Sequence, residues 1–185
     1  MRWRGVPVLL HWSVLIALPW FYIVHRNLPD MALAFLSLFG LLLVHELGHA
    51  AVARWRKVPV DEIQLFIMHG HCLHEQPTRK SDEIWIAWGG VAAQAILLLL
   101  AFGVSQLLEA RNYSLYLFAY PVLRTLVEVN FILIVINLLP VPPLDGAKAW
   151  PVLPLAWKRL RRDRKLKRQS HDIAADIVAK LRKGK

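Results

Sequence analysis

Residues 31–53 read MALAFLSLFGLLLVHELGHAAVA, and the polar residues inside that run decide what kind of fold the chain must have. The stretch is apolar apart from Ser37 and the pentad His45-Glu46-Leu47-Gly48-His49. It is long enough to cross a hydrocarbon core, which takes about 20 helical residues. On a helix, His45 and His49 project from one face, so both imidazoles can reach a single metal ion. Glu46 lies between them, where a general base must stand to activate a water at the metal. Ionisable side chains at membrane depth are costly and default to a functional reading. The run therefore predicts a spanning helix that carries a hydrolytic metal site.

Working outward, three further stretches are long and apolar enough to span: Val6–Val24, Ile84–Leu108 and Leu115–Leu139. Short polar connections are expected at His25–Asp30 and Glu109–Ser114. The segment 54–83 is different. Within it, Val58–Met68 begins with alternation and ends in a short apolar run, as a partly buried strand would. Gly70 then offers a turn, which suggests a hairpin or re-entrant loop at the membrane face. The expected fold is an all-α multi-pass membrane protein of about four transmembrane helices with a small β-hairpin or re-entrant strand element. Residues 1–30 would form the first span and a short outer loop, residues 31–149 the core, and residues 150–185 a basic cytoplasmic tail.

Composition agrees. The chain has 185 residues, 56% of them hydrophobic, which excludes an ordinary soluble domain. Its net charge of +10 is concentrated after Trp157, in a block of Lys and Arg next to apolar sequence. Such a block marks the cytoplasmic side of a membrane and contact with anionic lipid headgroups, rather than nucleic acid. On a four-span reading, all of the 23 Lys and Arg residues except Arg26, Arg111 and Arg124 fall on one side, so both termini should be cytoplasmic. Nine residues separate His45 from Arg54, which puts His45 about 13 Å below that interface. Cys72 is the only cysteine, so no internal disulfide can form. The N-terminal apolar run has no small-residue cleavage site after it and reads as a retained span.

Two histidines do not complete a catalytic zinc site; a third protein ligand is expected, with a fourth position for water. The best candidate is Asp145, in Asn137-Leu138-Leu139-Pro140-Val141-Pro142-Pro143-Leu144-Asp145-Gly146. Three prolines there interrupt regular helix at the end of a span. Broken backbone at that depth is tolerated where it is buried in protein or lines a wet cavity.

The pairing of His-Glu-x-x-His with Asn-x-x-Pro-x-Pro-x-x-Asp-Gly, each on its own predicted span, resembles the site-2 protease family of intramembrane metalloproteases. The match covers roughly Met31 to Gly146. The resemblance implies His45, His49 and Asp145 as ligands of one zinc ion and Glu46 as the catalytic base. It also implies a membrane-spanning protein substrate, cleaved within or near its transmembrane segment in regulated intramembrane proteolysis, and a cell-membrane location such as the bacterial inner membrane. Family members commonly carry Gly-Pro-x-x-Asn on the third span. Here Gly89-Gly90-Val91-Ala92-Ala93-Gln94 offers Gln94 in a substrate-positioning role, without the proline. Asn137 could bond the substrate backbone or the oxyanion, or equally cap its own helix. The Val58–Met68 strand offers an edge on which an extended substrate could pair.

Other features have plainer readings. His69, His71, Cys72 and His74 invite a second metal site, but a polar loop explains them. His11 reads as structural, and Arg124 and Glu128, four apart, as a pair. Two rival functions use the same residues: a scaffold that keeps the ligands without turnover, and a metal transporter. A transporter should spread polar ligands along a path, whereas here the chemistry converges at one depth.

Overall fold

The computed structural model describes residues 2–67 and 69–152, together with Pro154, Arg162, Leu166 and Gln169. Residues 2–149 belong to one compact unit, and a second unit begins at Trp150. Most of the predicted basic tail therefore lies outside the described residues.

Three long helices form the frame. The first, α2 (Leu28–Trp55), follows a short helix α1 (Ala17–His25), and α3 spans Lys80–Arg111. The third runs unbroken over Tyr113–Asn137 as α4 (Tyr113–Arg124), a π-helical turn (Thr125–Val129) and α5 (Asn130–Asn137). Each of the three is long and apolar enough to cross a membrane. Local chemistry sets their ends. Asn27 caps α2 by accepting from the Asp30 amide at 2.8 Å, with Pro29 in the first turn. Asn112 caps α4 by accepting from the Leu115 amide at 3.0 Å, and it is the single residue between α3 and α4. The polar connection expected at Glu109–Ser114 is thus mostly helix. Pro121 lacks an amide to give, and four residues on the chain relaxes into the π turn, where the Thr125 hydroxyl donates to the Pro121 carbonyl at 2.9 Å.

The first apolar stretch departs from expectation. Val6–Val24 is not one spanning helix: it supplies strand β2 (Val6–Leu10), a 3₁₀ turn (Trp12–Ile16) and then α1. Its apolar residues serve two environments. Val6 packs with Ala50, Ile63 and Cys72 beneath the sheet, and Val14 packs with Phe39, Leu42 and Leu65. Phe21 meets Phe35 edge-on, so the stretch runs back along α2 toward its beginning.

The β element is larger than a hairpin. Four strands lie in the order β1 (Arg2–Trp3), β2, β3 (Val60–Leu65), β4 (Gly70–His74). Arg4 and Gly5, both at positive φ, make the two-residue turn between β1 and β2. β2 pairs in parallel with β3, matching Val8 to Ile63 and Leu10 to Leu65; β3 pairs antiparallel with β4. The strand predicted in Val58–Met68 is β3, while Gly70 opens β4 and does not form the turn. This placement corrects the expected substrate edge: both sides of β3 are occupied, and the free edge on that side of the sheet belongs to β4.

Candidate metal centre

α2 brings His45, Glu46 and His49 into the protein interior, with 6%, 4% and 6% of their surface exposed. They can be buried there because α3 approaches α2 with almost nothing between. A Cβ on Gly89 would stand 2.6 Å from the Gly48 carbonyl oxygen, and one on Gly90 would lie 2.5 Å from His49 Nε2 and 2.6 Å from His45 Cε1. Only glycine at position 90 leaves room for the two rings.

Asp145 arrives from the other side of the sequence. After Asn137 the chain passes through Pro140, Pro142 and Pro143, the last two joined by a cis peptide, and enters α6 (Asp145–Ala149). Gly146 fits against the carbonyls of Leu138 and Leu139, where any side chain would collide. The Trp88 indole N–H donates to the Ala149 carbonyl at 3.2 Å, and Lys148 lies 3.9 Å from Glu83. These contacts tie the short helix to α3 and set the position of its first residue.

At the centre, Asp145 Oδ2 is 3.1 Å from His45 Nε2 and 3.2 Å from His49 Nε2, and the two Nε2 atoms are 3.0 Å apart. His49 Nδ1 is 2.7 Å from the Ile86 carbonyl, an atom that can only accept, so Nδ1 carries the proton. His45 Nδ1 faces Gln94 Oε1 at 3.0 Å in the same sense. Each ring in its neutral form therefore turns a bare lone pair inward from Nε2, toward a carboxylate oxygen that is buried and without a hydrogen-bond partner. Three lone pairs converging with no proton among them suit a cation. Ligand atoms around tetrahedral zinc at about 2.1 Å stand about 3.4 Å apart, close to the 3.0–3.2 Å seen here. Two imidazoles and a carboxylate are a zinc donor set, and the outer nitrogens are already held as metal-bound histidines require. Among the described residues, this is the one group of three such side chains near enough to share an ion.

Glu46 sits beside this triangle, and the first residue of β4 presses on it. A Cβ on Gly70 would collide with Cγ, Cδ and Oε1 of Glu46. Asn137 is the last residue of α5, half-buried and eight residues before Asp145. Gln94 is fully buried on α3, against His45. Sequence reasoning passed over Asn130. It is fully buried, its side-chain amide donates to the Gln94 backbone carbonyl at 3.0 Å, and an asparagine within the run 126–136 was the available signal. The histidine-rich loop assembles no second site among the described residues. His69 stacks on Phe66, His74 lies 2.8 Å from the Glu75 carbonyl, and Cys72 is buried under the sheet. His11 accepts from the Ser13 amide and caps the 3₁₀ turn, and Arg124 pairs with Glu128 at 3.1 Å.

No family model matches the chain. A zinc metalloprotease of Methanocaldococcus jannaschii is 29% identical over 150 residues, which is 78% of this chain and 41% of that protein. Rip3 of Mycobacterium tuberculosis, whose name assigns it provisionally to the zinc metalloproteases, is 30% identical over 176 residues, covering 85% of this chain and 43% of its own. The chain thus spans about two fifths of the length of these curated relatives. The solved structure of a site-2 protease from Methanocaldococcus jannaschii superposes with a TM-score of 0.66 at 26% identity, over 83% of this chain and 69% of that one. Three apolar helices and these relatives make this a membrane protein. Shared fold, shared sequence and an interior donor set suited to zinc agree: over these residues the chain is similar to the site-2 proteases.

Proposed function

We propose that the protein is an intramembrane zinc endopeptidase that hydrolyses peptide bonds within or near the transmembrane segments of membrane-protein substrates, as in regulated intramembrane proteolysis. The observation that carries this reading is the convergence of His45, His49 and Asp145 around a proton-free space inside an apolar helix bundle, with Glu46 beside it. One zinc ion held by those three side chains would supply Lewis acidity, polarising the scissile carbonyl and acidifying the attacking water. Glu46 takes the proton from that water and returns it to the leaving amine. Asn137 offers an amide to the substrate backbone or the developing oxyanion, and Gln94 one from the α3 side. A helical peptide bond is sheltered by its own turn, so the substrate must be extended before it is cut. The free edge of β4 can receive such a segment as an added strand, and its first residue already lies against Glu46.

The charge distribution supports an orientation with both termini cytoplasmic and the site opening toward the cytosol, in a membrane such as the bacterial inner membrane. The basic tail beyond residue 157 would meet anionic headgroups and not nucleic acid. The test is cleavage of a panel of single-span substrates by purified protein in liposomes, beside Glu46→Gln and chelator-treated protein, with zinc measured on each. Cleavage by wild type that is lost in Glu46→Gln while zinc stays bound supports the reading. Bound zinc with no cleavage of any substrate favours a scaffold, and absence of zinc overturns the metal site.

A further inference from the structure

We propose that Gln94 is a positioning residue for the metal centre: its side-chain oxygen fixes the tautomer and ring orientation of His45, so that this histidine meets the ion through Nε2. The inference rests on the zinc reading above. His45 and His49 are held by different means. His49 donates from Nδ1 to the backbone carbonyl of Ile86, a partner that no substitution can remove. His45 has no backbone acceptor at its Nδ1; it relies on Gln94 Oε1, 3.0 Å away on the neighbouring helix. One of the two rings is thus oriented by a side chain.

Gln94 is placed at a cost that packing alone does not explain. It is one of the largest fully buried side chains, and its Nε2 has no hydrogen-bond partner. A leucine of similar size would remove that unsatisfied donor from the bundle interior. What leucine could not do is accept from His45. Asn130 strengthens the case from the third helix. It too is fully buried, and it donates to the Gln94 backbone carbonyl at 3.0 Å while its own Oδ1 lacks a partner. A polar connection therefore runs from α5 through α3 to α2 and ends on a metal-facing ring. Outer partners of metal-bound histidines fix the tautomer and raise ligand basicity, and their loss weakens metal binding by about 10–100-fold.

The experiment measures zinc affinity of the full chain in detergent by competition against a chelator of known affinity. Wild type, Gln94→Leu, Gln94→Met and Gln94→Glu are compared, and the zinc-free form of each is followed through thermal unfolding. Gln94→Leu and Gln94→Met should bind zinc about 10–100-fold more weakly, while their zinc-free forms still unfold in one cooperative transition. Gln94→Glu keeps the acceptor and should bind at least as tightly as wild type. Zinc affinity within twofold of wild type in either apolar variant overturns the inference. So does a Gln94→Glu variant that is folded yet as weak as Gln94→Leu, since the loss would then follow shape and not the acceptor. A wild-type chain that takes up no zinc would overturn the metal reading itself and this inference with it.

Discussion

Replacing Gly70 by alanine should separate catalysis from folding in this protein. Gly70 opens β4 with ordinary extended backbone, so alanine imposes no strain on the chain itself. Its methyl would, however, collide with Cγ, Cδ and Oε1 of Glu46. Carbon atoms in comfortable contact stand about 3.5–4.0 Å apart, so the carboxylate must withdraw by about 1 Å. The atoms that must move belong to a side chain and not to backbone, so the shift falls on Glu46 itself. A base displaced by about 1 Å costs on the order of 100-fold in rate, or about 2.7 kcal/mol of transition-state stabilisation. Stability should move the other way, since a tolerated Gly→Ala change gains about 0.4–1 kcal/mol by restricting the unfolded chain. The assay is turnover of a single-span substrate in liposomes, with zinc content and thermal unfolding measured on the same samples. The expected result is turnover down by about two orders of magnitude with zinc bound and unfolding unchanged or later. Shortening the base should partly restore the fit, so Glu46→Asp with Gly70→Ala should lose less than the product of the two single losses. Turnover within threefold of wild type in Gly70→Ala would refute the reasoning, because the contact would then not govern where Glu46 stands.

Four further outcomes are expected. Asp145→Ala should abolish stoichiometric zinc binding in metal analysis while the helical circular dichroism signal stays, because it deletes one of three convergent donors. Gly48→Leu should fail to give folded protein on size-exclusion chromatography in detergent, since its side chain would enter the backbone of Gly89 and the Ala93 methyl. Asp82→Ala strands the Arg56 guanidinium, which bonds Asp82 across the α2–α3 interface; a loss of about 1–3 kcal/mol should appear as earlier thermal unfolding. Cys72 should resist maleimide in the folded protein. Burial, helped by the Glu46 charge, pushes its thiol pKa up to about 12. The thiolate fraction at pH 7 is then about 1 in 100,000, and labelling should become fast only after denaturation.

Much of the site was legible in the sequence because its residues come as two compact motifs. The four-residue step from His45 to His49 puts both on one helical face before any tertiary contact is known. The prolines before Asp145 announce broken backbone at a span end, where a carboxylate can turn toward a neighbour. The first apolar stretch was not legible, for a definite reason. Hydropathy cannot tell lipid-facing residues from those under a sheet, and a short apolar run fits strand or helix equally. Two marks were available. His11 interrupts the run and caps a new turn, and Pro19 stands in the first turn of α1, where a missing amide costs nothing. The pairing of β2 with β3 is parallel and joins residues more than 50 positions apart, so no local pattern could reveal it.

The contact of Gln94 with His45, and the support Asn130 gives it, were hidden because they follow from how closely two helices pack. In lipid there is little hydrophobic drive between helices, and association depends on small residues that let backbones approach. Gly48 on α2 meets Gly89 on α3, and Gly90 clears space for both imidazoles. Once that contact is made, the next turn of α3 must bring Gln94 alongside His45, four and five residues beyond the glycines. Gln94 in turn gives Asn130 its acceptor. The glycines that join the helices and the amides that steady the histidine are therefore one device. Enlarging Gly90 should loosen zinc even though position 90 offers no ligand and no hydrogen bond. Gly90→Ala places carbon within 2.6 Å of both rings, and these cannot yield without releasing the carbonyl of Ile86 or the amide of Gln94. Chelator competition on Gly90→Ala should show weaker zinc binding than in Gly103→Ala, where the added carbon meets nothing within 4 Å. Equal affinity in the two variants would mean that the rings have freedom the packing denies them.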